Sequence, residues 1–274
     1  MSQYLIRKVI YQGSFEPREV FFRTMVFKVF NRISTWELLQ REVGEIHFSS
    51  SFVRTFDRIL TLAMSRGVRI YSAAYIMPSG GRLNTTGRKH RMHLELLQRM
   101  IEDRLPERLL EASSMQVAFE LLRNYPTIGD FLAYQYVTDL NYSSLLNFDE
   151  MQFVVPGPGA LSGLRKCFAD FGGLSEVDLI RVMADRQEAE FARLGLRFET
   201  LWGRRLQLID CQNLFCEVDK YARVAHPGFG GSTRTRIKQK FRPMDKPLEY
   251  WFPPKWGLNE QIGPVNTPHH DCLF

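Results

Sequence analysis

A varied set of polar side chains recurs at helical spacing in the segment LIDCQNLFCEVDKYAR. If this segment is a helix, its polar side chains share one face, since residues three or four apart lie above one another: Asp210, Asn213, Glu217 and Lys220 or Tyr221. Acid, amide, amine and phenol together favour a functional site, and a solvated helix face is the alternative. The neighbouring apolar side chains, Leu214, Val218 and Ala222, are expected to pack inward.

A second polar group lies in the segment DFLAYQYVTDLNY, where Gln135 and Asp139 are one helical turn apart. A buried acid beside an amide is expected to face the same cavity as the first group, and the alternative is a turn at a helix end. The upstream segment FKVFNRISTWELL offers Lys28, Asn31 and Trp36. Trp36 is expected in the core, with stacking on an extruded base as the alternative.

The stretch FVVPGPGALSGLRKCF contains a tight Pro-Gly-Pro-Gly turn before a basic segment. Gly157 and Gly159 permit unusual φ values and close approach of another chain. A helix starting near Ala160 would offer unpaired N–H groups to a DNA phosphate, and Arg165 and Lys166 would add charge. This pattern is typical of a helix-hairpin-helix, which binds the duplex backbone without reading sequence. An ordinary turn between helices is the alternative.

Asp178 follows this turn at the distance at which helix-hairpin-helix DNA glycosylases place a catalytic aspartate. In such enzymes the aspartate stabilises positive charge on the deoxyribose as the base leaves. Ser175 and Asp178 also form an S-x-x-D pattern, which predicts a helix cap. The cap is the favoured interpretation.

The elements that must position these side chains are helices. The chain has 274 residues, of which 45% are hydrophobic and 24% are charged, so it can bury a sizeable core. Helical segments follow one another without an internal repeat. The sequence predicts an all-α, DNA-glycosylase-like helix-hairpin-helix domain over 1–228, with two lobes that meet near 104–114. Gly, Pro and polar residues dominate beyond His226, so 229–274 is predicted to be a basic, irregular, partly mobile arm.

The formal net charge of +6 and the isoelectric point near 9.2 favour a polyanionic partner such as nucleic acid. Arg234 and Arg236 of the arm are candidates for phosphate contacts. The alternatives are a soluble basic protein and a solvated tail.

The cysteines and histidines indicate neither disulfides nor a metal site. None of the four cysteines forms a CxxC pair, and no secretory signal is recognised, so reduced thiols and a cytoplasmic location are expected. His90 and His93 lack a third ligand at metal-binding spacing. No apolar run approaches the ~20 residues of a membrane span, and the sequence contains no P-loop.

Together, four of these segments resemble the α-glutamyl/putrescinyl-thymine pyrophosphorylase family, whose relatives include the helical domain named after 5-hydroxymethyluracil DNA kinases. The segments are FKVFNRISTWELL, FLAYQYVTDLNY, MQFVVPGPGALSGLRKCF and DCQNLFCEVDKYAR, and they occur in the family's order within about residues 17–225. The resemblance implies a DNA-glycosylase-like fold and a role in hypermodification of phage DNA. In that process a kinase phosphorylates 5-hydroxymethyluracil to a pyrophosphate ester, and the pyrophosphorylase replaces pyrophosphate with an amine.

The resemblance implies three partners: double-stranded DNA containing modified uracil, an amino acid or polyamine, and a functionally linked 5-hydroxymethyluracil DNA kinase. The incoming amine must lose a proton, so Glu217 is the first candidate base and Asp139 the second. Lys220, helped by Arg223 or Lys166, is expected near the departing pyrophosphate, and Asp210 is a further catalytic candidate. Substrate-binding roles are expected for Gln135, Gln212, Asn213 and Tyr221, on a base flipped from the duplex.

No cofactor is predicted, although a divalent metal accompanying pyrophosphate stays open. Two other functions stay open as well: a base-excision glycosylase that depends on Asp178, and a non-catalytic DNA-binding module.

Overall fold

The computed structural model describes residues 2–73, 77–81, 84, 87–198, 200–229 and 249–262. Their regular structure is helical and contains no β-strand, which confirms the predicted all-α class. The helices are α1 (Ser2–Leu5), a π-helical turn (Ile6–Ile10), α2 (Pro17–Phe30), α3 (Ile33–Val43), α4 (Phe52–Ser65), α5 (Lys89–Glu102), α6 (Leu105–Leu110), α7 (Met115–Arg123), α8 (Asp130–Asn141), α9 (Pro158–Cys167), α10 (Glu176–Arg193) and α11 (Leu208–Ala225), with short 3₁₀ turns at Pro254–Trp256 and Asn259–Gln261. None of the described helices is both long and apolar enough to cross a lipid bilayer.

Helices α2 and α8 lie at the centre of the core. Every residue from Val20 to Phe30 of α2 is buried, and so is every residue from Leu132 to Asn141 of α8. Helix α2 packs against α3, α5, α6 and α8. A helix that is buried around its whole circumference must satisfy every polar side chain internally, so the polar residues of α2 and α8 identify where the core departs from hydrocarbon.

Both ends of α2 have recognisable sequence causes. Pro17 occupies the first turn, where its fixed φ suits a helix start and its missing N–H costs nothing. Asn31 ends the helix in the left-handed region, with φ of 46°, a conformation that asparagine tolerates better than most residues. The buried Arg23 guanidinium donates to the carbonyls of Val9 at 3.1 Å and Ser14 at 2.7 Å. These bonds hold the N-terminal segment against α2.

The glycine turn differs from the predicted helix-hairpin-helix. Helix α8 ends at Asn141, and residues 153–157 are extended, so a long connection rather than a helix leads into α9. Neither Gly157 nor Gly159 has a positive φ. Glycine is required instead by close packing, because a Cβ on Gly163 would lie 1.9 Å from the carbonyl oxygen of Phe215 in α11. The all-α class is therefore confirmed, and the helix-hairpin-helix detail is not.

The described part of the predicted arm, residues 249–262, returns to the helical body. The Trp251 N–H donates to Gln3 at 2.6 Å, and the Lys255 ammonium donates to the Leu146 carbonyl at 2.6 Å. Phe252 and Leu258 are buried. Arg234 and Arg236 lie outside the described residues. The division into 1–228 and 229–274, with a lobe boundary near 104–114, stays a prediction.

Candidate functional site

A buried ion pair joins the two central helices. The ammonium nitrogen of Lys28 on α2 lies 2.6 Å from Oδ2 of Asp139 on α8, and the two side chains are 7% and 9% exposed. Burial raises the pKa of Asp139, and the Lys28 charge opposes that shift. Gln135 lies one turn before Asp139 and is also buried. Because removing two charges from water is costly, such a pair is weak evidence for stability and better evidence for chemistry.

Polar atoms without partners lie at the junction of α2 and α3, one turn beyond Lys28. Asn31 Oδ1 and Trp36 Nε1 are buried and have no hydrogen-bond partner among the described residues. The Trp36 ring packs against Phe27 with centroids 6.0 Å apart, so Trp36 is a core residue, as expected. Buried polar atoms are seldom left unpaired. The junction is therefore a place where a bound molecule could supply missing hydrogen bonds.

A short segment, residues 70–72, crosses this junction and is held there by hydrogen bonds. The Ser72 N–H donates to the Phe30 carbonyl at 2.9 Å, and the Thr35 hydroxyl donates to the Ile70 carbonyl at 2.8 Å. The Tyr71 ring contacts Phe30 with centroids 5.2 Å apart. The segment thus places the Tyr71 hydroxyl beside α5.

His93 on α5 is fixed in one neutral form by its two neighbours. Its Nε2 lies 2.9 Å from the Pro78 carbonyl, which can only accept, so Nε2 carries the proton. Its Nδ1 then accepts from the Tyr71 hydroxyl at 2.7 Å. Burial lowers the pKa of His93 to about 4, so the ring is neutral near pH 7. With both nitrogens occupied, His93 positions Tyr71 and residue 78 and is not available as a ligand.

His90 belongs to a different network, between α4 and α5. Its Nε2 lies 3.0 Å from Asp57 Oδ1 and 3.0 Å from the Thr61 hydroxyl. Asp57 Oδ2 also pairs with Arg88 at 3.1 Å and Arg91 at 3.2 Å. Among the described residues, no group of three or more His, Cys, Asp or Glu side chains is placed to hold a metal ion.

The polar stripe predicted on α11 lies mostly in solvent. Glu217 is 65% exposed and pairs with Lys220, which is 45% exposed, and Tyr221 is 66% exposed. Asn213 is exposed too, and its Oδ1 accepts from Gln212 at 2.7 Å. Asp210 accepts from the Gln207 N–H at 2.9 Å and caps the helix. The structure therefore favours the alternative of a solvated face and does not bring this stripe to the buried Lys28–Asp139 pair.

The inward face of α11 also differs from the prediction. Leu214 is 51% exposed, and the buried positions include Cys211, Phe215, Asp219 and Ala222. This face is inward because it packs against α9, where Gly163 allows close approach. Our prediction chose a face one residue out of register because Leu214 and Val218 are apolar, while the buried face contains an acid.

That acid, Asp219, was missed in the sequence although it occupies an apolar register position. Its Oδ1 accepts from Lys166 at 2.8 Å and from Ser162 at 2.7 Å, and Arg223 lies 3.0 Å from Oδ2. These bonds join α11 to α9. The Lys166 side chain is only 3% exposed, so it is engaged here rather than open to a DNA phosphate, as we had expected. Arg165 is exposed and lies 3.5 Å from Glu176.

The start of α9 is also engaged within the protein. The Gly157 N–H donates to Gln212 Oε1 at 3.0 Å, and the Ala160 N–H is hydrogen-bonded to the Cys216 thiol. Gln212 is buried, with both ends of its amide bonded to protein. Two of the N–H groups that we expected to bind phosphate therefore hold α9 against α11, and Gln212 acts as their partner.

Asp178 forms the helix cap that was the favoured interpretation. Its Oδ2 accepts from the Ser175 N–H at 2.9 Å and from the Ser175 hydroxyl at 2.6 Å, and the Asp178 N–H donates back to Ser175. The hydrogen bonds from Ser175 lower the pKa of Asp178. The carboxylate is thus committed to the start of α10.

Comparison with known proteins identifies relatives of the chain. Residues 1–231 match the family model described as "5-hmdU DNA kinase, helical domain". The 5-hmdU DNA kinase of Bacillus phage SP10 is 23% identical over 263 residues, which covers 88% of this chain and 40% of that kinase. The chain therefore spans less than half the length of that relative. No solved structure matches it. The relation to the helical domain is confirmed, while membership of the pyrophosphorylase family stays a prediction.

Proposed function

The chain belongs to the family of the 5-hmdU DNA kinase helical domain, and we propose that it modifies a thymine-derived base in phage DNA. In the proposed reaction, the pyrophosphate of 5-(pyrophosphoryloxymethyl)uracil in DNA is replaced by an amine from an amino acid or polyamine. The 274-residue sequence holds no P-loop, so the preceding phosphorylation is assigned to a separate kinase unit.

The observation that carries this proposal is the buried Lys28–Asp139 pair. Its two members come from two of the four segments that resemble the pyrophosphorylases, on the two central helices. Displacement of pyrophosphate needs a cation for the departing oxygens and a base for the attacking amine. A lysine and an aspartate, held in contact before substrate arrives, provide both groups.

The proposed step proceeds at the exocyclic methylene carbon on C5 of the uracil. The amine nitrogen forms a bond to this carbon as the carbon–oxygen bond to pyrophosphate breaks. The Lys28 ammonium stabilises the negative charge on the departing oxygens, and the Asp139 carboxylate accepts the proton that the new secondary amine releases. Burial raises the pKa of Asp139, which suits a carboxylate that must hold a proton briefly.

Entry of the base requires that it leave the duplex, because a stacked base cannot reach a site between two core helices. Gln135, one turn from Asp139, is the amide best placed to bond the pyrimidine edge. Asn31 Oδ1 and Trp36 Nε1 are further buried groups that lack partners among the described residues. Our proposal therefore centres on α2 and α8 and takes Asp139, the second candidate base, in preference to Glu217.

The test is a reaction on duplex DNA that carries the pyrophosphate ester at one defined uracil. The whole chain is incubated with this DNA and either glutamate or 1,4-diaminobutane, and the digested nucleosides are analysed by mass spectrometry. We expect an amine-substituted nucleoside and one pyrophosphate released per base. Asp139→Asn should reduce the rate at least a hundredfold, and the matched Glu217→Gln should leave it within twofold, because Glu217 is solvated.

Three results would contradict the proposal. An abasic site in the product DNA would identify a glycosylase, and Asp178→Asn would then be the variant to lose activity. Binding of DNA without release of pyrophosphate would identify a non-catalytic module. Equal rates for Asp139→Asn and the wild type, with both proteins folded by circular dichroism, would remove Asp139 from the role of base.

A further inference from the structure

A second polar cavity lies on the surface of the helical body, where residues 249–262 pack against it. Its volume is about 180 Å³, and its walls include Asn147, Phe148, Glu150, Arg204, Lys255 and Trp256. Lys255 and Trp256 lie beyond residues 1–231, which match the family model. The cavity is therefore a feature that the family match does not cover.

Glu150 provides the chemical character of this cavity. Its side chain is 9% exposed, and its Oε1 accepts from Arg204 at 2.8 Å and from the Trp256 indole at 3.1 Å. Its other oxygen, Oε2, is buried and has no hydrogen-bond partner among the described residues. An unpaired buried carboxylate oxygen is costly. A donor from outside the described chain would remove that cost.

The neighbouring cations are already engaged. The Lys255 ammonium donates to three carbonyls, those of Asn141, Ser143 at 3.1 Å and Leu146 at 2.6 Å, which accounts for its three protons. The Arg204 guanidinium lies 3.9 Å above the Trp256 ring and bonds the other oxygen of Glu150. Neither cation supplies a hydrogen bond to Oε2.

The charge balance around Glu150 favours a cationic ligand. Burial raises the pKa of Glu150, and the nearby Asp210 charge raises it further. Burial also raises the pKa of Asp210. The Arg204 guanidinium opposes both shifts and is thus shared by two buried carboxylates. An additional positive charge would stabilise both in their ionised form.

We propose that this cavity binds a small organic cation whose primary ammonium group donates to Glu150 Oε2. A charged N–H donor is the strongest hydrogen-bonding complement to a carboxylate. At about 30 Å³ for each water of liquid, the cavity accommodates a molecule of roughly six heavy atoms. Primary amines are also consumed in the reaction proposed above, but the assignment of the cavity does not depend on that reaction.

The test is calorimetric titration of the whole chain, without DNA, with 1,4-diaminobutane. We expect one site per chain and no binding of 1,4-butanediol, which has the same length but no charge. Glu150→Gln should weaken binding at least tenfold. The matched control Asp185→Asn removes an exposed acid on α10 and should leave affinity unchanged. Asn147→Phe, a substitution at an exposed wall residue that obstructs the cavity, should also weaken binding.

Several results would overturn the assignment. These are absence of diamine binding, equal binding of diamine and diol, and unchanged affinity in both folded Glu150→Gln and Asn147→Phe. Binding of Mg²⁺ alone at this site, with displacement of the diamine, would identify a metal site instead. Because no DNA is present, failure here leaves the proposed reaction untouched, and diamine binding without base transfer would refute the reaction but not the cavity.

Discussion

The ammonium nitrogen of Lys28 lies 2.6 Å from Oδ2 of Asp139, although the two residues belong to helices far apart in the chain. Both helices are buried along almost their whole length. The pair is therefore a charged contact in the middle of an apolar core. Its energetic signature separates a structural role from a catalytic one.

Removal of one partner alone should destabilise the fold strongly. Lys28→Met leaves the Asp139 carboxylate buried without its cation, and we expect the free energy of unfolding to fall by about 3–5 kcal/mol. The double variant Lys28→Met/Asp139→Leu removes both charges and should recover most of that loss. Urea denaturation of the two single variants and the double variant measures the coupling. Additive losses would show that the two side chains do not interact in solution.

The protein should lose stability as the pH falls below neutrality, in part through His93. The pKa of His93 is lowered from 6.5 to about 4 by burial, so between these values the unfolded chain binds more protons than the folded one. Stability from this residue is complete above about pH 6.5 and declines as the pH falls towards 4, by on the order of 3 kcal/mol.

His93→Gln tests this contribution by removing the titrating ring. The variant should lose stability less steeply between pH 6.5 and 4 than the wild type, as measured by urea denaturation at a series of pH values. His47→Gln, at an exposed position, is the matched control and should follow the wild type. Parallel curves for wild type and His93→Gln would contradict the assignment.

A methyl group at Gly163 should separate α9 from α11. A Cβ there would lie 1.9 Å from the carbonyl oxygen of Phe215 and 2.7 Å from its carbonyl carbon, and both are backbone atoms that cannot rotate away. We expect Gly163→Ala to lower the free energy of unfolding by about 2–4 kcal/mol, as overpacking does in its more severe cases. Gly129→Ala is the matched control, since a Cβ there meets nothing within 4 Å. Equal thermal unfolding of the two variants would refute the close packing.

Arg165 and Lys166, adjacent in sequence, should respond differently to neutralisation. Arg165 is exposed, and Lys166 is buried against Asp219. If this end of α9 contacts DNA, Arg165→Met should weaken duplex binding and reduce the salt dependence by about one phosphate contact. Lys166→Met should mainly lower stability, because it leaves the Asp219 carboxylate with fewer partners. Fluorescence anisotropy over a salt series distinguishes these outcomes, and an unchanged slope in Arg165→Met would exclude the contact.

Local chemistry decided much of this protein and could be read from its sequence. Helical periodicity and terminating residues predicted the all-α class, Pro17 marked the start of α2, and the Ser175–Asp178 spacing predicted the cap of α10. These features depend on neighbours within about one helical turn, so their geometry follows from residue type and spacing. The segments containing Lys28 and Asp139 also stood out, each for a polar residue in an apolar surrounding.

Only the tertiary structure decided which polar residues are buried and with whom. Lys28 meets Asp139, and Lys166 meets Asp219, because distant helices pack together, and helical spacing carries no information about such pairs. The stripe from Asn213 to Tyr221 was correctly grouped on one helix but lies towards solvent, since the packing of α9 selects the other face of α11. Spacing defines faces, and the neighbouring element determines which face is buried.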